Sequence, residues 1–355
     1  MTTSVALLLL NGGIASTAIQ PLDIFSHTGQ LWNLLGKEPV SPAFDVTTAS
    51  IDGNPVRTDR HLSLTPQCSF ADLKRPDLVF VPAGGCELNM MVRDGYNIDK
   101  TIEQNLEVVG WLRKWASEGV KIAAVCSGVL LAAQAGLLDG RLATAHWGLA
   151  DLYQARFPNV DWRHEYLVTD AGDVFCGGGG NAASDLSLYI VEKYCGREIA
   201  KQTARALVIE MPRLWQNSFM PLALRVDHHD PQILEAQEWI STQSASDMHF
   251  DELARRVGMS SRNFSRRFKE ATGATPLSYL QNIRIAKAKR LLENTQMGIQ
   301  NIAEAIGYAD MIFFRNLFKR NTGMSPTDYR KRFGEVLSVQ SQLVSDRRSR
   351  VLMAR

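Results

Sequence analysis

The stretch FDELARRVGMSSRNFSRRFKEATGATPLSYL (residues 250–280) is said again, after a basic connecting segment, by IQNIAEAIGYADMIFFRNLFKRNTGMSPTDYRKRF (residues 299–333). An offset of 50 residues lays Phe314 on Phe264, Phe318 on Phe268, Lys319 on Lys269, Gly323 on Gly273, Pro326 on Pro276 and Tyr329 on Tyr279. Upstream of the aromatics the offset falls to 49, pairing Leu253 with Ile302, Ala254 with Ala303 and Gly258 with Gly307. The second copy therefore carries one extra residue in its turn. Each copy reads as a short helix, a turn through glycine and a second helix, which is the spacing of a helix-turn-helix unit.

In the first copy, Leu253, Ala254 and Val257 mark the inner face of the leading helix, and Ser260 or Ser261 caps the next one. Phe264 and Phe268 are four residues apart, share a face and are expected to bury. That leaves Ser261, Arg262, Ser265, Arg266 and Lys269 on the opposite face, with donors for guanine edges and phosphates. The matching stripe of the second copy is Met311, Ile312, Arg315, Asn316 and Lys319, with Asp310 as the expected cap; being less polar, it suits thymine methyls or backbone contacts. Charge separates this region from the rest. Residues 250–333 hold 16 Lys and Arg against 7 Asp and Glu, a balance of +9, whereas residues 1–249 hold 19 against 28, a balance of −9. A near-neutral chain thus has one half fitted to a polyanion.

The last third strongly resembles the DNA-binding domain of AraC/XylS-type transcription regulators, on the signature Gly307, Tyr308, Phe314, Phe318, Lys319, Gly323, Ser325, Pro326, Tyr329 and Arg330. The resemblance implies two recognition helices in successive major-groove faces, RNA polymerase as a partner, and a helix over residues 276–292 that sets their separation. A groove repeat of about 34 Å calls for a rigid spacer. Ile283, Ala286 and Leu291, with Arg284, Lys287, Lys289 and Arg290, are compatible with one.

At 355 residues the chain has room for two or three domains. Five cysteines without metal spacing point to a reducing cytosol, with neither disulfides nor zinc, and no cofactor is expected. The opening VALLLL is short and follows no Lys or Arg, so it reads as a buried strand and not a signal core; no later run reaches membrane-spanning length. Residues 15–35 suit a helix interrupted by Pro21. LVFVPAGG (residues 78–85) ends a strand in glycines, residues 99–118 have helical spacing before Gly119, and VKIAAV runs into Cys126-Ser127-Gly128 and another helix that stops near Gly136. Strand, helix and strand in this order imply a parallel α/β sheet, followed by an all-α C-terminal domain. Cys126, at a strand-to-helix elbow, has two readings: a thiol activated by the helix dipole, or a small buried hydrophobe.

The segments PLDIF, DLVFVPAGG, AAVCSGVLLAAQAGLLDGRLATAHW and NAASDLSLYIVEKYCG resemble the PfpI/ThiJ branch of the class I glutamine amidotransferase-like fold, over residues 4–196. Carried over, the resemblance implies Cys126 as nucleophile, His146 as its histidine and Asp23 as the acid on the first helix. Gly84, Gly85 and Ser127 would supply anion donors. Asp23 stands where a glutamate is usual, and CGGGGNAAS (residues 176–184) replaces the usual Thr-Ser-Ala-Gly pattern. Glycines such as Gly178 either floor a pocket or form a loop. An effector pocket is accordingly expected around Asp23, Gly84, Gly85, Cys126, Ser127, His146 and Gly178, vestigial as a catalytic site.

Residues 197–230 read as a connector, and a helix from Gln232 to Gln243 opens the DNA-binding domain at 231–334. The run Asp227, His228, His229, Asp230 lacks metal-ligand spacing, and the polar, basic tail 335–355 suits nonspecific phosphate attraction. AraC-type regulators with this domain order use the amino-terminal half as sensor and commonly act as dimers. The expected function is a cytoplasmic, homodimeric transcription regulator, an activator, responding to a small metabolite. The alternative is a PfpI/ThiJ cysteine enzyme (hydrolase, amidase or isocyanide hydratase) with a DNA-binding appendage.

Overall fold

A computed structural model of the chain describes residues 2–59, 62–85, 95–213, 215–219 and 228–334. The chain divides into two units, Met1–Gln216 and Asn217–Arg355. In the first, the apolar runs expected to be strands build a seven-stranded sheet. In chain order its strands are β1 (Thr3–Leu8), β2 (Phe44–Ser50), β5 (Cys68–Ser69), β6 (Leu78–Val81), β7 (Lys121–Val125), β10 (Val168–Asp170) and β11 (Val174–Gly177). Across the sheet the order is β10-β11-β7-β6-β1-β2-β5, parallel except for the β10–β11 pair. Two small sheets flank it: β3 (Val56–Arg57) with β4 (Ser63–Leu64), and β8 (Leu142–Ala143) with β9 (Asp161–Trp162).

Central strands look continuously apolar because both faces are covered. The two-residue period nevertheless sorts them. Ala6, Leu8, Val79, Val81, Ile122 and Ala124 join the core under the helices Leu106–Ser117 and Gly128–Gln134. Val5, Leu7, Leu78, Phe80, Ala123 and Val125 join the opposite core, under Ser16–His27, Ala182–Cys195 and Arg197–Ala206. Each buried Leu or Val side chain contributes about 1.5–3 kcal/mol, so the three-layer packing carries the fold.

Three expectations need correction here. Residues 15–35 form two helices, Ser16–His27 and Leu31–Leu35, and Pro21 lies inside the first without ending it. The break falls at Gly29, whose φ of 74° is left-handed. Residues 99–118 likewise split into Ile98–Glu103 and Leu106–Ser117, because Asn105 turns its side-chain amide back onto the Thr101 carbonyl. The connector expected from residue 197 begins later. Arg197–Ala206 packs against the helices Ala182–Cys195 and Leu31–Leu35, and Arg213 donates to both oxygens of buried Asp185, its Nε at 3.0 and 3.2 Å, while Tyr166 stacks on Trp215 at 4.6 Å. The tail 335–355 and Asp227 lie outside the described residues.

The second unit contains the helices Pro231–Thr242, Phe250–Arg256, Ser261–Thr272, Pro276–Asn294, Ile299–Ala305, Met311–Thr322 and Pro326–Phe333. Sequence repetition becomes structural repetition. Ser260 and Asp310 cap the second helix of each copy, Thr275 and Ser325 cap the third, and a proline follows each of these last two. Thr272 donates to the carbonyls of Phe268 and Ala274, and Thr322 to those of Phe318 and Met324. The extra residue of the second copy lies in its turn, between Ala305 and Met311. Each copy has its own core, one around Phe264, Phe268 and Tyr279, the other around Phe314, Phe318 and Tyr329. The 19-residue helix Pro276–Asn294 belongs to both and spans roughly 28 Å, rigid enough to separate two groove contacts.

Candidate functional site

Every residue of the first expected DNA-reading stripe is exposed: Ser261, Arg262, Ser265, Arg266 and Lys269. Phe264 and Phe268 turn inward. Arg266 is held in place, its Nη1 donating to both Glu270 oxygens at 2.8 Å and its Nη2 to the Asn263 side chain at 3.1 Å. These are exposed bonds, which cost little to exchange for another partner. Neighbouring Arg267 differs. Half-buried, it donates to both carboxylate oxygens of Asp230 and to Gln232, tying this helix to Pro231–Thr242. In the second stripe Ile312, Arg315, Asn316 and Lys319 are exposed and Met311 is half-buried. Phe313, which the sequence reading passed over, is 46% exposed beside Ile312 at 73%, giving this helix an apolar tip. Its signal was present as a third aromatic next to the Phe314–Phe318 pair.

The other constellation sits at the carboxyl ends of β6, β7 and β11. Cys126 is an elbow residue with φ of 57°, and its N–H donates to the carbonyls of Gly178 (2.8 Å) and Gly177 (3.3 Å). It is only 8% exposed. The Ser127 hydroxyl, fully buried, accepts from the Gly84 N–H at 3.0 Å and donates to the Gly84 carbonyl at 3.1 Å. The Gly85 N–H goes to the Asn11 carbonyl at 2.8 Å. Gly84 and Gly85 therefore have no N–H left for an oxyanion, which corrects their expected role. His146 lies over the glycine loop so closely that a Cβ on Gly179 would come within 1.8 Å of its ring. Its Nδ1 accepts from the Gly148 N–H at 3.0 Å, which places the proton of the neutral ring on Nε2. Asp23 is exposed on the first helix, whose buried positions include Thr17, Pro21 and Ile24. Two polar side chains of this helix bond residues elsewhere: Thr17 accepts from the Ala83 N–H at 3.1 Å, and Gln20 meets Asn181 and Ser184.

A cavity of about 570 Å³ opens at the ends of β6, β1 and β2. Gly85 lines it, while Asp23, Gly84, Cys126, Ser127, His146 and Gly178 do not. Gly178 instead packs on the side chain of buried Gln216, which a Cβ there would approach to 2.8 Å. Among the described residues there is no cluster of metal-ligating side chains; His228 bonds Gln237 at 2.7 Å and Asp230 holds Arg267. No described helix is long and apolar enough to cross a membrane.

The sequence profile of the DJ-1/PfpI family matches residues 4–193, more than half of the 355 residues. The chain belongs to the DJ-1/PfpI family. A helix-turn-helix domain profile matches residues 253–332 of the same chain. GlxA of Rhizobium meliloti, an HTH-type transcriptional regulator, is 32% identical over 227 residues, which are 63% of this chain and 69% of GlxA. The HTH-type transcriptional regulator CdhR of Pseudomonas aeruginosa is 27% identical over 282 residues, 79% of this chain and 80% of CdhR. A crystal structure of an AraC family transcriptional regulator from Pseudomonas putida aligns with a TM-score of 0.47 and 23% identity, over 58% of this chain and 99% of that one. With its two helix-turn-helix units, this DJ-1/PfpI member is a DNA-binding transcription regulator with an AraC-type domain.

Within this DJ-1/PfpI unit, burial acts against the charged forms of the elbow residues. Burial pushes the Cys126 thiol up, and the backbone N–H groups of Gly180 and Ser127, which favour thiolate, do not offset it. The elbow position alone suggested the opposite direction. Burial also lowers the His146 pKa, and with Nε2 carrying the proton the neutral ring has no free lone pair to take one from sulfur. Cys176, buried behind the elbow, is pushed up to about 12. Alkylation of Cys126 by iodoacetamide, followed by peptide mass spectrometry, is expected to be slow at neutral pH and to keep rising beyond the pH where a small free thiol has levelled off. Full reactivity at neutral pH contradicts this reading.

Proposed function

We propose that the first unit is a metabolite sensor without turnover, and that its ligand adjusts DNA binding by the second unit. The observation that carries this reading is the disassembled elbow: a buried protonated thiol, a histidine whose Nδ1 is occupied, and an exposed Asp23. A binding site needs only a cavity with converging polar groups. Coupling then requires a ligand that favours one of two conformations, typically by about 1–3 kcal/mol. The competing reading, a cysteine hydrolase, amidase or isocyanide hydratase, rests on the elbow geometry of Cys126. Cys126→Ser separates the two. Effector-dependent transcription that survives this change supports the sensor; loss of a measurable effector turnover together with induction supports the enzyme.

On DNA, the proposal assigns base contacts to Arg262 and Arg266 in the first recognition helix and to Ile312 and Asn316 in the second. Ser261, Ser265, Lys269, Met311, Arg315 and Lys319 contribute flanking and phosphate contacts. Arg266→Ala is expected to cost about 1–3 kcal/mol on the operator and to relax preference at one position. An equal loss on specific and random duplexes, measured by fluorescence anisotropy, marks a phosphate contact only. The regulator acts, in this reading, in the cytoplasm as a homodimer on repeated half-sites and as an activator that contacts RNA polymerase. Sedimentation velocity on the free chain and on operator checks the dimer; a monomer in both contradicts it.

A further inference from the structure

The two copies differ most at the start of their recognition helices. Across the 50-residue offset Met311, Ile312 and Phe313 replace Ser261, Arg262 and Asn263, so apolar side chains stand where the first copy has polar ones. Met311 packs against the core around Phe314 and Phe318. Ile312 and Phe313 remain exposed. Where Arg262 brings donors suited to guanine, Ile312 brings none.

Helical spacing puts this pair beside the cations of the same helix. Ile312 shares its face with Arg315, Asn316 and Lys319, three, four and seven residues further on and all exposed. Phe313 flanks that face. Its ring is backed by Tyr308 at 5.7 Å, which in turn stacks on Phe314 at 6.0 Å and lies under the Arg284 guanidinium at 4.9 Å. A side chain backed in this way has less freedom to lose on binding. The neighbouring positive charges favour a polyanion over an apolar protein surface as the occupant. Phosphate itself is a poor partner at this end of the helix. The Asp310 carboxylate accepts from the N–H groups of Ile312 (2.8 Å) and Phe313 (3.0 Å), which removes two anion donors and sets a negative charge in their place. The first residues of a recognition helix meet base edges in the major groove, and the apolar group that a base pair offers there is the C5-methyl of thymine.

We propose that Ile312 and Phe313 form a thymine-specific contact, packing on the C5-methyl groups of one or two thymines in the operator block read by the second copy. That block is then recognised by apolar contact and the first block by hydrogen bonds. The inference rests on the DNA reading given above and adds Phe313 to it. The test replaces thymine by deoxyuridine, one position at a time, in an operator selected by the full-length chain. This change deletes a methyl group and keeps every hydrogen-bonding group of the base pair. One or two uracils in the second block are expected to weaken binding by roughly three- to ten-fold each in fluorescence anisotropy, the scale of one buried methyl group. Ile312→Ser and Phe313→Ala should each lose the distinction between thymine and uracil at one or more of those positions. Ile312→Ser, at an exposed position, carries the test if truncating Phe313, which packs on Tyr308, unsettles the helix. The proposal is overturned if no uracil in the second block weakens binding, or if both variants keep the full distinction at every position. A second protected block without uracil sensitivity removes this contact and keeps the two-groove reading, whereas absence of a second block removes both.

Discussion

Phe318→Ala is expected to destabilise the second helix-turn-helix unit by about 3–5 kcal/mol, the usual cost of truncating a fully buried phenylalanine. Phe318 is fully buried and meets Phe314 at 5.8 Å and Tyr329 at 5.4 Å, edge to face. A loss of that size is a large part of the stability of an ordinary domain. Because the core around Phe268 is separate, the damage should stay local. Hydrogen exchange is expected to accelerate over residues 299–333 while residues 250–280 keep their protection. Uniform acceleration across both copies would mean that they share one cooperative core.

The second large effect concerns the joint between the copies. Arg284 is 8% exposed and pairs with no acid among the described residues; its guanidinium donates to the carbonyls of Ser244 (2.6 Å), Ser246 (2.9 Å) and Gly307 (3.1 Å) and lies over the Tyr308 ring at 4.9 Å. Gly307 has φ of 89°, and a Cβ there would come within 2.4 Å of the Ala245 carbonyl, so the turn of the second copy presses against the segment leading into the first. Arg284→Met leaves three carbonyls without their donor. We expect a cost of about 2–4 kcal/mol, since hydrogen bonds to charged groups are worth roughly 1.5–3 kcal/mol each and are not additive. Arg284→Lys should recover little, because an ammonium cannot hold the same planar fork. Urea unfolding gives the stability loss. Binding to a full operator should fall more than binding to either half, and equal losses would show that Arg284 stabilises without setting the spacing.

The double helix-turn-helix was legible because two independent regularities coincide. The 50- and 49-residue offsets align aromatics, glycines and prolines, and the four-residue spacing of Phe264 and Phe268 decides which face is left for DNA. Even the extra turn residue could be read. The role of Arg284 could not, since a cation inside a basic stripe gives no sign that three distant carbonyls will surround it. The parallel sheet was legible from apolar runs between glycine turns, but the helix breaks at Gly29 and Asn105 depend on a backbone conformation and a side-chain hydrogen bond that periodicity does not register. At the elbow the position of Cys126 was legible, but the choice between an activated thiol and a small buried hydrophobe was not, because burial outweighs the local dipole and burial is a tertiary property. The exposure of Asp23 was hidden for a related reason: identity along the first helix says nothing of rotation, and the buried apolar residues Ile24 and Phe25 decide it.

Two groove contacts from one chain are the central expectation. Sequences selected by the full-length regulator from random duplex DNA, mapped by hydroxyl-radical footprinting, should show two protected blocks per chain separated by about 10.5 base pairs. Arg266→Ala should relax sequence preference in one block only, and Asn316→Ala in the other only. A single protected block per chain, or one block that responds to both substitutions, would contradict the account.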